Sequence, residues 1–264
     1  MRAVSLHPDA ILVTSAVLQV NCVIVRDGEE AFVIDSPVLP DELDALPALV
    51  AQARFPAPSG LLATHGDWDH LLGRLAYPEL ALGCAQSTAE RLAAAPGEAQ
   101  RELREFDEAL LIERPRPLAL GSLQALPVPG RCEIGERELE LHAADGHTAD
   151  GMAVLIAWAG VLVAGDYLSP VELPLLNAGD RLDAYLATLA RLRALLERAE
   201  HVVPGHGPAI DRARAAALLA QDTAYLEALR EHGAQAQLPQ GRRSRQQRAV
   251  HARNVEALSS PRRS

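Results

Sequence analysis

Four short segments of this chain concentrate side chains that donate electron pairs to metals. They are His65, Asp67, Asp69 and His70 in "THGDWDH", His147 in "DGHTADG", Asp166 in "VLVAGDY" and His206 in "VVPGHGP". Imidazole nitrogen and carboxylate oxygen are the donors that divalent cations such as zinc, manganese and iron accept. Each segment follows an apolar, strand-like run, and side chains at the ends of neighbouring strands converge on one edge of a sheet-based core. A lone histidine at a strand end is usually structural, but seven donors arranged in this order are not explained that way. His7, His142, His201, His232 and His251 fit no such position and are read as ordinary residues.

The elements that must position these residues can be read around them. From Ala10 to Ile34 the chain is rich in Val, Ile, Leu and Thr, broken by the turn "RDGEE". Asp41 is expected to cap a helix carrying Leu43, Leu46, Leu49 and Val50 on one face. The strand "GLLATH" leads into the first donor segment, and "STAERLAAA" and "GEAQRELREFDEALLIE" read as two further helices. The second of these, around 97–113, is expected either to cover the site as a lid or to lie on a distant surface. After Val128, "CEIGERELELHAA" and the run Gly151–Gly165 read as β again, the latter breaking at Ala159-Gly160 into two strands. Asp180 and Asp211 are expected to cap two long helices, the last ending near Gly233. Two successions of β then α suggest two packed sheets with helices outside.

Composition narrows the function. All 25 basic residues are arginine, which removes Schiff-base lysines, lysine bases and the phosphate-loop lysine. The net charge of −10 is uneven: seven arginines against Glu256 make residues 241–264 about +6, leaving the rest near −16. No nucleic-acid partner is expected for so acidic a body. Cys22, Cys84 and Cys132 are odd in number and unpaired in spacing, as for free thiols in a reducing compartment. The longest apolar run falls short of the ~20 residues that span a bilayer. The first twenty residues lack the pattern of a secretory leader, so the expectation is a cytoplasmic protein with no membrane partner. One domain over 1–233 and an Arg-rich tail over 234–264, partly helical or disordered, is the expected organisation. A helix in "RQQRAVHARNVEAL" that returns to the pocket with His251 or Asn254 is the alternative for the tail.

From "VNCVIVRDGEEAFVIDSP" through "PGHGP" the chain resembles the metallo-β-lactamase superfamily of hydrolases. The resemblance implies an α+β fold, a four-layer αβ/βα sandwich of two mixed β-sheets flanked by helices, with a dinuclear metal site at one edge. It implies that His65, Asp67 and His147 hold one metal, that Asp69, His70 and His206 hold the other, and that Asp166 bridges them. Two divalent ions would lower the pKa of a shared water and polarise a scissile carbonyl or phosphoryl oxygen. Asp69 would orient the resulting hydroxide and pass a proton to the leaving group. Trp68 and Tyr167 stand beside ligands as candidate substrate contacts, Tyr167 as a donor to an oxyanion, with packing as the other reading of each and the favoured one for Trp68. Asp35 could buttress the site or simply form a turn before Pro37, and Thr148 has the same two readings. Asn21 and Cys22 read as strand packing.

One departure from the family pattern is informative, because Asp67 stands where histidine is usual. Two zinc ions are what the family implies. The additional carboxylate is expected to weaken the metals as Lewis acids and favour harder ions such as Mn or Fe. The leading expectation is a metal-dependent hydrolase acting on a small ester, thioester or lactone. A diiron-type oxidoreductase of the same fold and a non-catalytic metal-binding protein are the alternatives, and a homodimer is open.

Overall fold

The structure is a computed structural model and describes residues 1–177 and 181–259. Seven strands form the first sheet in chain order: β1 (Arg2–His7), β2 (Ala10–Thr14), β3 (Asn21–Asp27), β4 (Glu30–Ile34), β5 (Gly60–Ala63), β6 (Leu82–Ala85) and β7 (Leu123–Leu126). The first four pair antiparallel through hairpins, and β4 to β7 run parallel. Parallel neighbours need crossovers, supplied by α1 (Pro40–Gln52) before β5, α2 (Gly73–Ala76) before β6, and α3 (Gln86–Ala94) with α4 (Glu98–Leu110) before β7.

The second sheet has the order β13-β12-β11-β10-β9-β8, formed by β8 (Gly130–Ile134), β9 (Arg137–Ala143), β10 (Met152–Ile156), β11 (Val161–Val163), β12 (His201–Val203) and β13 (Ile210–Asp211). It is also mixed, with β11 and β12 parallel and the rest antiparallel. Helices α5 (Leu182–Leu196), α6 (Arg212–His232) and α7 (Arg245–Ser259) complete this half.

Side-chain alternation along the strands separates the layers. In β3, Cys22 and Ile24 pack with Leu43, Leu46 and Leu103 of the helices, while Val23 and Val25 face the second sheet. In β10, Met152, Val154 and Ile156 meet the first sheet, and Ala153 and Leu155 meet Leu189 and Leu219 of α5 and α6. These three apolar interfaces define the expected four-layer αβ/βα sandwich.

Several local expectations change. Leu39, not Asp41, precedes α1; Pro40 opens the helix and the buried Glu42 reaches back to the Leu39 N–H. Asp211 does cap α6, accepting from the Arg214 N–H at 2.7 Å. Asp180 lies outside the described residues. The segment expected to be a tail is docked over its described length: Arg242 and Asn254 are buried, and Val250, Val255 and Leu258 pack on the α5–α6 core. Helix α7 carries a capping box, with Ser244 and Gln247 exchanging hydrogen bonds of 2.8 and 3.2 Å. Among the described residues no helix is long and apolar enough to cross a membrane.

Candidate metal centre

Both sheets deliver their donors to one edge. Residues 65–70 follow β5, His147 lies in the loop from β9 to β10, Asp166 follows β11 and His206 follows β12. Backbone bonds from Asn21 N–H to Gly205 O (2.8 Å) and from Gly207 N–H to Gln19 O (3.0 Å) tie the two sheets together at this edge. The Asn21 amide also donates to Pro204 O and Gly207 O, at 2.8 and 2.7 Å. Asn21 therefore staples the loop carrying His206, a role that composition alone does not reveal.

The seven predicted donors come together in two groups sharing Asp166. Around the first, His147 Nε2 and His65 Nε2 lie 3.3 and 3.5 Å from Asp67 Oδ2. Asp166 Oδ2 completes it, 3.2 Å from His147 and 3.7 Å from His65. Around the second, His206 Nε2 and His70 Nε2 lie 3.4 and 3.9 Å from Asp69 Oδ2. Asp166 Oδ1 is 3.3 Å from His70 and 3.5 Å from His206. Donors held about 2.1 Å from a tetrahedral ion are about 3.4 Å apart, so the spacing suits a cation at the centre of each group.

Outer partners fix the rings. Asp35 Oδ2 accepts from His70 Nδ1 at 3.0 Å and its Oδ1 from the Thr64 N–H at 2.8 Å. Asp35 buttresses the site from a backbone at φ +57°, a strained region for a residue other than glycine. His206 Nδ1 donates to Leu18 O at 3.0 Å, and His65 Nδ1 lies 3.1 Å from Thr64 Oγ1. Each of these rings is turned so that Nε2 faces the centre.

Three atoms there, His65 Nε2, His70 Nε2 and Asp166 Oδ1, are buried without a hydrogen-bond partner. Buried polar atoms are ordinarily satisfied, and a Cβ at Gly205 would overlap Asp166 Oδ1, so the cradle is kept clear. The electrostatics agree. Burial opposes protonation of His147, but its hydrogen bond and attraction to Asp166 prevail and push it up to about 10. Burial likewise opposes protonation of His206, and attraction to Asp166 pushes it up to about 10. Burial works against ionised Asp67, yet His65 and His147 hold it well below the usual carboxylate range. So negative a pocket calls for cations, and the donor set fits metal ions.

Asp67 has a partner that the sequence reading did not find. Arg91 of α3 places Nη2 2.7 Å from Asp67 Oδ1 and Nη1 2.9 Å from Asp150 Oδ1. Asp150, 1% exposed, also accepts from the Gly66 N–H at 2.9 Å and the Thr88 hydroxyl at 2.8 Å. With Oδ1 committed to Arg91, Asp67 offers the centre a single oxygen, as an imidazole offers a single nitrogen. The guanidinium also offsets part of the negative charge that replacing histidine introduced.

A cavity of about 640 Å³ opens beside the first group, lined by Trp68, Arg91, Phe106, Thr148, Asn177 and Arg181 among others. Helix α4 forms one wall through Glu102, Glu105 and Phe106, and Trp68 packs on Phe106 with ring centroids 4.6 Å apart. This helix covers the site instead of lying on a distant surface. Tyr167 lines neither this cavity nor the smaller one beside Asp166. Its hydroxyl donates to Ala144 O at 3.2 Å and accepts from the His147 N–H at 2.9 Å, so it positions His147 instead of facing a substrate. The Thr148 hydroxyl closes a local turn onto Asp150 O at 3.0 Å.

Such a sandwich with paired donor groups at its edge defines a class of folds suited to binding metals. The metallo-beta-lactamase superfamily model matches residues 16–206, and the chain belongs to that superfamily. Among solved structures it is similar to a metallo-beta-lactamase family protein from Thermus thermophilus, with 23% identity, TM-score 0.66, and 85% of this chain and 83% of that one covered. It is also similar to the metallo-beta-lactamase from Pontibacter korlensis, at 19% identity and TM-score 0.60, covering 86% and 98% of the two chains. A stereoselective inverting sec-alkylsulfatase from Pseudomonas sp. aligns at 15% identity and TM-score 0.68, over 87% of this chain but 42% of that one. No sequence match to a curated protein reaches significance.

Proposed function

We propose that the chain is a hydrolase that holds two divalent cations and cleaves a small ester, thioester or lactone. The observation that carries this reading is Asp166, whose Oδ2 faces His65 and His147 while Oδ1 faces His70 and His206. His65, Asp67 and His147 would take the first cation, Asp69, His70 and His206 the second, with Asp166 between them. Bound there, the cations would supply an activated water and polarise the acyl oxygen of the substrate.

The chain's own residues do the rest. Asp69 lines both the large cavity and the smaller one beside Asp166, so its carboxylate can orient a water and carry a proton toward a leaving group. Trp68 and Phe106 give an apolar wall, and Thr148 and Asn177 line the same cavity with polar groups. The volume suits a small molecule. Three free cysteines support a reducing, cytoplasmic setting. Asp67 makes the donor set richer in oxygen than the family's pattern, which supports Mn or Fe as alternatives to Zn.

The test is elemental analysis of protein purified without added metal, followed by turnover of ester, thioester, lactone and phosphodiester panels. Two equivalents per chain, with acyl hydrolysis abolished by chelation, is the expected result. Intact metal content with no turnover would overturn the hydrolase reading, and iron with a redox-active spectrum would replace it with an oxidoreductase.

A further inference from the structure

We propose that Glu172 is an eighth ligand of this centre, belonging to the second cation, and that the C-terminal segment holds it in place. The inference rests on the two-cation reading above. Glu172 follows Asp166 by six residues, in the connection from β11 to α5. Its carboxylate, Asp166 and His206 offer donor atoms that all lie within 4.8 Å of one another. Opposite ligands of one ion stand about 4.2 Å apart and adjacent ones nearer 3 Å, so a small shift of the Glu172 carboxylate would let it share an ion with Asp166 and His206.

The loop around Glu172 is anchored, but its carboxylate is not. The Glu172 N–H donates to Ser169 Oγ at 3.1 Å, and that hydroxyl donates to His206 O at 2.9 Å. Glu172 O accepts from Arg242 Nη1 at 3.0 Å, and Val171 O accepts from Gln247 Nε2 at 2.8 Å. Arg242 is buried and in turn paired with the buried Asp222 at 2.6 Å. Among the described residues the Glu172 carboxylate makes no hydrogen bond or ion pair of its own. It shares its small cavity with Val171, Leu173, Leu175 and Val250 and with the carboxylates of Asp67, Asp69 and Asp166, among which an unpaired carboxylate is unfavourable. Asp166, whose Oδ1 is buried without a hydrogen bond, lines the same cavity. An unpaired carboxylate on an anchored loop, beside the donor atoms of Asp166 and His206, is the arrangement of a ligand.

A wall residue and a ligand respond differently to Glu172→Gln, which keeps volume and removes charge. Wild-type protein and the variant would be loaded with Mn or Zn and challenged with graded chelator, with bound metal counted by mass spectrometry and metal-free melting temperatures compared. The expected result is loss of one equivalent in the variant, or binding of the second cation weakened by about tenfold or more, with metal-free melting not lowered. A larger weakening for Mn than for Zn is expected, because the oxygen removed is the harder donor. Gln247→Leu, which frees the Val171 carbonyl, should weaken the same cation in the same direction; no change would remove the C-terminal segment from the inference. Retention of both cations by the Glu172→Gln variant with wild-type affinity would overturn the ligand role while leaving the two-cation reading intact. A wild-type protein that binds no metal would overturn both.

Discussion

Replacing Arg91 with alanine should loosen the metal centre from outside it. The substitution removes the 2.7 Å contact to Asp67 and the 2.9 Å contact to Asp150. Breaking a buried ion pair by deleting one partner costs about 3–5 kcal/mol. Here the cost is smaller, because Arg91 is 29% exposed and Asp150 keeps its bonds from Gly66 and Thr88, so about 2–3 kcal/mol is expected. In a domain of this size each kcal/mol moves the melting temperature by about 2–4 °C, giving a fall of about 4–12 °C in the metal-free protein. Asp67, freed at Oδ1, would also turn or chelate through both oxygens, and losing a ligand's outer partner typically changes metal affinity by about 10–100-fold. Differential scanning calorimetry and chelator competition read the two effects separately. Arg91→Lys should recover only part of each, because one ammonium cannot span both carboxylates as the guanidinium fork does. A melting temperature within about 1 °C of wild type, together with unchanged metal affinity, would refute the reasoning.

The metal-free protein should lose stability as pH rises from neutrality. His147 and His206 are pushed up to about 10 when folded, against about 6.5 unfolded, so the native state holds extra protons between those values. Their contribution is complete below pH 6.5 and lost through pH 10, and a melting temperature flat or rising over that window would contradict it. Gly205→Ala should abolish binding of at least one cation while the chain still folds, since its Cβ would displace Asp166 Oδ1; metal content measured alongside circular dichroism decides the point. Asn254→Ala removes bonds to Leu176 N–H, Pro174 O and the Tyr225 hydroxyl and should cost about 2–3 kcal/mol in urea unfolding, with a negligible change arguing that the C-terminal helix is not part of the cooperative unit. Asp67→His should reduce the effect of Arg91→Ala on metal affinity; equal effects in both backgrounds would show that the two residues act independently.

How far the sequence carried depended on how local each signal was. Continuous apolar runs such as those in "NCVIVRD" and "MAVLI", buried on both faces, are a property of consecutive residues, so two packed sheets were legible once two β runs were separated by helices. The donors were legible for a similar reason: each donor segment follows its own strand, and their order resembles that of a known superfamily. Asp35 was open because a turn before proline and a buttress for His70 look identical in one dimension. Tyr167 was assigned to the pocket by adjacency to Asp166, but the hydroxyl points to Ala144 and His147, away from both cavities, because the backbone turns between the two residues.

The sequence by itself determined two packed sheets with helices outside, from its runs of β and α, and its resemblance to the superfamily pointed to the four-layer sandwich, the seven candidate donors and the unusual carboxylate at position 67. Only the tertiary structure decided what surrounds them. Arg91 meets Asp67 from 24 residues away, and Arg242 reaches the Glu172 backbone from 70 residues away. No periodicity or motif spacing encodes such meetings, because they depend on how α3 and the C-terminal segment pack against the sheet edge. Whether an arginine is a solvated surface charge or the partner of a carboxylate in the candidate metal centre is set by that packing, which fixes its distance from the carboxylate.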